Sequence, residues 1–198
     1  MNLLTEQLPR AVIIDGEEYK IRWDFKTSVC FEILMQDEEL SDDEKIVRSL
    51  ALYYPEIPPN IPAAIEQLLE FYRCGKKEEA VQTAGGTGRT QEPIYSFEYD
   101  HEYIYAAFLD QYGIDLQHDS LHWWVFRALF RALRGDHQIV KIMEYRSIQI
   151  TNEMTNEQKS FYRNMKQLYQ IPASKLAKQK VNAIEEALLG DGDLTKVL

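Results

Sequence analysis

Three groups of residues could carry chemistry by type and spacing. Gly85-Gly-Thr-Gly-Arg-Thr90 places three glycines in four positions, a composition that lets backbone N–H groups surround a phosphate. That chemistry also needs a lysine and a strand–loop–helix frame, and neither flanks this stretch, so it reads as linker. His118 and His122 stand at i and i+4 with Asp115 and Asp119 close by, a spacing that can bring two imidazoles onto one metal. His118 falls at or before the start of the expected helix, and no companion glutamate is present, so the group reads as ordinary histidines and a capping acid. Arg127, Arg131 and Arg134 follow i, i+4, i+7 and form one narrow helical stripe. It could bind anions, and Trp123, one turn before Arg127, could add a cation–π contact. The opposing reading makes the stripe the solvent or inter-helix edge of a core helix, paired with acids such as Glu102 or Asp110, because a buried guanidinium needs a carboxylate. The chain offers no Gly-x-Ser-x-Gly elbow, no supported Cys–His pair and no acid cluster at metal spacing. No catalytic, cofactor or metal residues are assigned, and no enzyme activity is expected.

The element that must position the arginines is Leu121–Leu133, LHWWVFRALFRAL. Apart from His122 and the arginines, its helical circumference is almost entirely Leu, Trp, Val, Phe and Ala. A helix that is apolar nearly all round belongs in a core. Asp119 or Ser120 is expected to cap it and Gly135 to stop it. Trp124 is expected in the core, and Trp123, beside the stripe, is the better candidate for a partly exposed contact. The candidate protein-interface residues are therefore Trp123, Arg127, Arg131 and Arg134.

Around this helix the pattern predicts a mainly α fold, with an N-terminal β-hairpin followed by a multi-helix bundle in one or two small lobes. Ala11–Ile14 and Tyr19–Trp23 flank Asp15-Gly16, whose residues tolerate the positive φ of a tight hairpin turn. Asp24 is placed to cap a helix to about Gln36. Ser41 with Glu44 is a capping box opening a helix to about Tyr54, and Thr155 with Gln158 is another, opening one to about Gln170. Helices are also expected over Ala63–Cys74, with Pro62 in its first turn, Tyr95–Tyr112 stopped by Gly113, Asp136–Ser147 and Ala173–Leu189. Lys76–Pro93 has one valine as its only large apolar residue and reads as a mobile linker. The expected layout is thus an N-terminal lobe at 1–75, a linker at 76–93, a helical lobe at 94–189 and a tail at 190–198.

The totals exclude several classes. The chain has 198 residues, 45% of them apolar, enough for a real core. No apolar run is long enough to span a bilayer, and the start has no basic-then-apolar leader, so the expected address is the cytoplasm with no membrane contact. A net charge of −10 makes nucleic acid a poor partner. Cys30 and Cys74 have neither metal nor disulfide-framework spacing and read as two reduced thiols. The charge is uneven: Asp37–Glu44 is acidic, whereas Lys159–Lys180 carries six basic residues and no acid. Self-association through these opposite blocks is a second interaction the pattern allows. By residues alone the protein is a soluble, mostly helical domain without a revealed chemistry.

A resemblance adds more. Tyr-Gly-Ile-Asp-Leu116, Leu121-His-Trp-Trp-x-Phe-Arg-x-Leu-Phe130 and Ile142-Met-x-Tyr-Arg146 resemble the tailed-phage "gene product fifteen" family of Gram-positive phages and prophages. The hairpin with Asp24-Phe25 and the stretch Phe97–Phe108 resemble it too, so the likeness covers nearly the whole chain. The family's genes resemble tail-morphogenesis genes lying between the major tail protein and the tape measure. The resemblance therefore implies a non-enzymatic tail assembly chaperone whose partner is the tape measure or tail tube protein. The alternative is a structural tail-completion or connector component of the virion. No catalytic residues are carried over with it.

Overall fold

The computed structural model describes residues 2–76 and 93–172. The expected linker (all but its two ends), the Gly85–Thr90 loop, the Ala173–Leu189 helix and the tail after it lie outside the described residues. Within them the chain forms a two-stranded hairpin and seven helices. It is mainly helical, as the pattern predicted.

Strand β1 (Ala11–Ile14) pairs antiparallel with β2 (Glu17–Lys20), Val12 opposite Tyr19. The turn uses positive φ at both Asp15 (53°) and Gly16 (85°), so that its twist matches that of the strands it joins. Val12 and Ile14 point into the core and Ile13 out, the period-2 alternation of a one-sided sheet. The second strand ends sooner than the expected Trp23. Past one more bond, from Ile21 N–H to the Arg10 carbonyl (3.1 Å), the chain leaves its partner and pairs elsewhere: Trp123 N–H donates to the Trp23 carbonyl (2.9 Å) and Phe25 N–H to the Leu121 carbonyl (2.9 Å), with Asp24 and His122 forming a single bridge. This bridge ties the hairpin's exit to the start of the tryptophan helix.

Helices α1 (Phe25–Gln36), α2 (Asp42–Tyr53) and α3 (Ile61–Tyr72) follow. Asp24 accepts from both the backbone N–H and the hydroxyl of Thr27 (2.9 and 2.8 Å). The Ser41–Glu44 capping box is formed in both directions. Asn60 caps α3 by accepting from Ala63 N–H (3.2 Å), which starts it two residues ahead of the expected Ala63 and places Pro62 in its first turn. Next come α4 (His101–Tyr112), α5 (Trp123–Arg131), α6 (Gln138–Ser147) and α7 (Asn156–Leu168). Gly113 ends α4 in the left-handed conformation (φ 67°) and Thr155–Gln158 opens α7 with a capping box. Helix α4 starts six residues later than the expected Tyr95, because Ser96 and Asp100 are bonded to one another in a turn: Ser96 N–H donates to the Asp100 carboxylate (2.8 Å) and Asp100 N–H to the Ser96 carbonyl (2.9 Å).

One continuous core holds Ile14, Phe31, Tyr53 and Leu68 from before residue 77 together with Phe97, Phe108, Trp123, Phe126 and Ile139 from after residue 92. Phe126 is its centre of stacking, near-parallel to Phe25, Phe108, Trp123 and Phe130 with centroids 4.9–6.1 Å away. The core crosses the boundary at which the chain was expected to divide. Helix α7 stands apart from it, lying on α6 with no residue buried.

Candidate protein-binding face

The face begins at the α5 N-terminus. Its cap is His122, not Asp119 or Ser120: Nδ1 accepts from Trp124 N–H (3.1 Å) and Nε2–H donates to the Pro9 carbonyl (2.9 Å). The reason is the bridge to Asp24, which holds Leu121 and His122 extended and delays the helix by two residues. Both ring nitrogens are engaged only in the neutral imidazole. Burial is the largest cause holding the His122 pKa below its ordinary value, with the Arg10 charge adding to it and the Pro9 bond opposing. His118 is exposed outside the helix, so the two histidines spaced at i, i+4 do not converge.

Both tryptophans then close the end of another helix. Helix α3 finishes in a Schellman motif, with Cys74 N–H donating to Phe71 (2.9 Å), Gly75 N–H to Glu70 (2.9 Å), and Cys74 at φ 62°. The last carbonyls still need donors. Trp124 Nε1–H donates to Phe71 O (2.8 Å), and Trp123 Nε1–H donates to Tyr72 O (2.8 Å). Arg127 adds a bond to Tyr72 O (3.1 Å) and places a cation at the negative end of α3. Its guanidinium lies 5.6 Å from the Trp123 ring and 5.9 Å from Tyr72, the expected cation–π contact made with two rings at once. Trp123 is not a partly exposed contact: it is 1% exposed against 6% for Trp124, because its indole is sandwiched between Tyr72 and Phe126.

The stripe therefore divides. Arg127 is half-buried and bonded inward. Arg131 is exposed and has no side-chain hydrogen bond or ion pair among the described residues. Arg134 is exposed and sits 3.3 Å from both Asp110 and Asp136, so Asp110 is the acid it meets and Glu102 is not. Gly135 does not stop the helix, which ends at Arg131. Side chains of α4 take the place of a glycine cap: Tyr112 hydroxyl donates to the Leu129 carbonyl (2.9 Å) and Gln111 Nε2 to Ala132 (3.0 Å).

Beside the arginines runs a groove of about 340 Å³ between α5, α6 and the 94–97 segment. Phe97, Phe130, Val140 and Met143 contribute apolar surface, and Arg127 and Arg131 stand along one side. Next to it Glu32 accepts from the Tyr72 hydroxyl (2.6 Å), and its charge acts on the Tyr95 phenol as well. Burial first, and the Glu32 charge second, raise both phenols, Tyr95 to about 12. Both phenols stay protonated near neutral pH, and the Tyr72–Glu32 bond ties the end of α3 to α1. Sequence reasoning missed it, as it missed the pair formed by Arg146 and Asp100. Arg146 grips Asp100 with both Nη atoms, the side chains 9% and 3% exposed. It also donates to the Ile94 carbonyl (3.2 Å) and, through Nε, to Tyr169 (2.7 Å). Asp100 just before an apolar helix and Arg146 in a helical stripe were visible signals, but nothing local joins residues 46 apart.

The arrangement holds donors in fixed structural bonds and leaves open an apolar cleft with a cationic edge, which an apolar protein segment can enter. A family model described as Bacteriophage Gp15 protein matches residues 4–171. Nothing among curated proteins or solved structures matches the chain. The chain belongs to the bacteriophage Gp15 protein family.

Proposed function

We propose that this member of the bacteriophage Gp15 family is a tail assembly chaperone that acts without catalysis in the host cytoplasm. It covers apolar helical stripes of the tape measure, or of tail tube subunits, until the tail encloses them. Family membership makes it a phage protein. The observation that carries the finer reading is the open apolar groove beside Arg127 and Arg131, on a molecule whose net charge of −10 favours solubility and transient association over a permanent interface. In this reading Arg131 and Arg134 are the surface contacts of the interface, while Trp123 and Arg127 hold its floor and wall.

The test is co-expression with tape-measure fragments and tail tube subunits, followed by pull-down in moderate salt and mass spectrometry of purified virions. Binding to a fragment, weakened by Arg131→Glu, together with absence from the virion, is the expected result. Presence in virions at fixed copy number would replace the chaperone with a tail-completion or connector component. Failure to bind any tail protein together with salt-sensitive binding to DNA or RNA would reject both.

A further inference from the structure

Helix α2 carries a surface complementary in charge to the α5–α6 groove. Its first turn holds Asp42 and Asp43, both exposed and neither with a side-chain partner among the described residues. One turn on, Ile46 and Val47 are 39% and 63% exposed, on a helix that buries Leu50 and Tyr53. Asp43 and Val47 at i and i+4 make one ridge, acid first and apolar second. The groove presents the complement: an apolar floor for a branched side chain, and Arg127 and Arg131 at the same i, i+4 spacing along its wall. None of its lining residues comes from α2, which packs on α1 and α3. The ridge thus remains available to another molecule.

We propose that the α5–α6 groove of one copy receives the Asp43–Val47 ridge of a second copy, Asp43 meeting Arg131 and Val47 entering the apolar floor. Each copy has a free groove and a free ridge, so two copies either satisfy both junctions in one reciprocal two-fold pair or, where the rotation does not close on two, extend into a ring or an open chain. Long-range repulsion between copies of net charge −10 opposes it, and the local attraction of opposite patches must overcome that repulsion. The inference uses the groove assigned above as a protein interface but does not depend on the chaperone role.

Sedimentation velocity of the purified full chain, from micromolar to sub-millimolar, tests it without any tail protein. The wild type is expected to show a sedimentation coefficient that rises with concentration. Arg131→Glu and Asp43→Arg, each alone, should weaken that association by about tenfold or more, since like charges would then face each other. Mixing the two variants should restore it. The acid introduced into the groove of one variant then meets the base introduced on the ridge of the other, while the second junction stays native. Far-UV circular dichroism on each variant establishes that it is folded. A wild type that stays monomeric throughout, or association indifferent to both substitutions, or a mixture that fails to recover it, overturns the proposal. A monomer that still captures a tape-measure fragment through Arg131 would overturn self-association while leaving the chaperone reading standing.

Discussion

At the scale of single residues, the large side chains at the start of α5 hold the fold together. Trp123, Trp124 and Arg127 all donate to carbonyls at the end of α3, so the Trp-Trp-x-Phe-Arg string is a helix cap supplied from a distant helix. Trp123→Ala is expected to cost about 3–5 kcal/mol, at least as much as Trp124→Ala, because it removes a buried aromatic and leaves Tyr72 O with one donor fewer. Chemical denaturation of the two variants checks this; a Trp123 variant nearly as stable as wild type would contradict the packing. His122 makes stability depend on pH. Its folded pKa lies below the ordinary value, so the unfolded chain takes up a proton first as pH falls. The His122 contribution is full above about pH 6.5 and is lost progressively below it, down to the lower folded pKa. His122→Asn, which keeps an acceptor at the cap, should show a smaller stability loss between about pH 7 and pH 5 than the wild type. Equal losses in the two proteins would remove His122 as the source.

At the scale of elements, helices here end on one another. The α5 C-terminus rests on Tyr112 and Gln111 of α4, and α7 hangs from Arg146. That guanidinium binds Asp100 at the head of α4 and the Tyr169 carbonyl just past α7, while Lys166 of α7 donates back to the Arg146 carbonyl (2.7 Å). Arg146→Met should therefore cost about 3–5 kcal/mol, since it strands a buried carboxylate. It should also loosen α7 beyond the global effect. Hydrogen exchange resolved by segment measures the difference: residues 156–168 should lose protection before α1 or α3 does. Ser41→Ala is a local control, expected to cost about 1 kcal/mol through the lost capping box, with the loss of protection greatest at the start of α2.

At the scale of the whole molecule, residues before 77 and after 92 share one core, and the hairpin, α1–α3 and α4–α6 are expected to unfold together. Thermal unfolding followed by far-UV circular dichroism and by tryptophan fluorescence should give coincident transitions. Trp23 lies before residue 77 and Trp123 and Trp124 after residue 92, so two separated transitions would mean that the shared core does not couple them. On the outside, the acidic charge is interrupted by Arg131 and Arg134 on one face and meets exposed aliphatic residues on α2. These are the two surfaces on which the proposed binding acts.

What the sequence by itself determined was whatever depends on neighbours within a turn or two. The Asp15-Gly16 hairpin, the Asp24 cap, the capping boxes at Ser41 and Thr155, and the stop at Gly113 involve donors and acceptors a few residues apart. Side-chain type and spacing settle them before any packing exists. The overall class followed, as did the central place of the tryptophan helix and the Trp123–Arg127 contact. The tertiary structure alone decided which helix ends needed glycine and which were served by a remote side chain. It also decided that α5 starts at Trp123, since residues 121 and 122 are held extended by the chain leaving the hairpin. Trp123 went into the core and Arg131 stayed outside for the same reason: the end of α3 arrives on one side of the stripe, and nothing in the local spacing says where a helix so much earlier in the chain will finish. Asp100 and Arg146 likewise became a pair only when two helices met. Long-range pairing depends on the fold's geometry, which a local pattern does not encode.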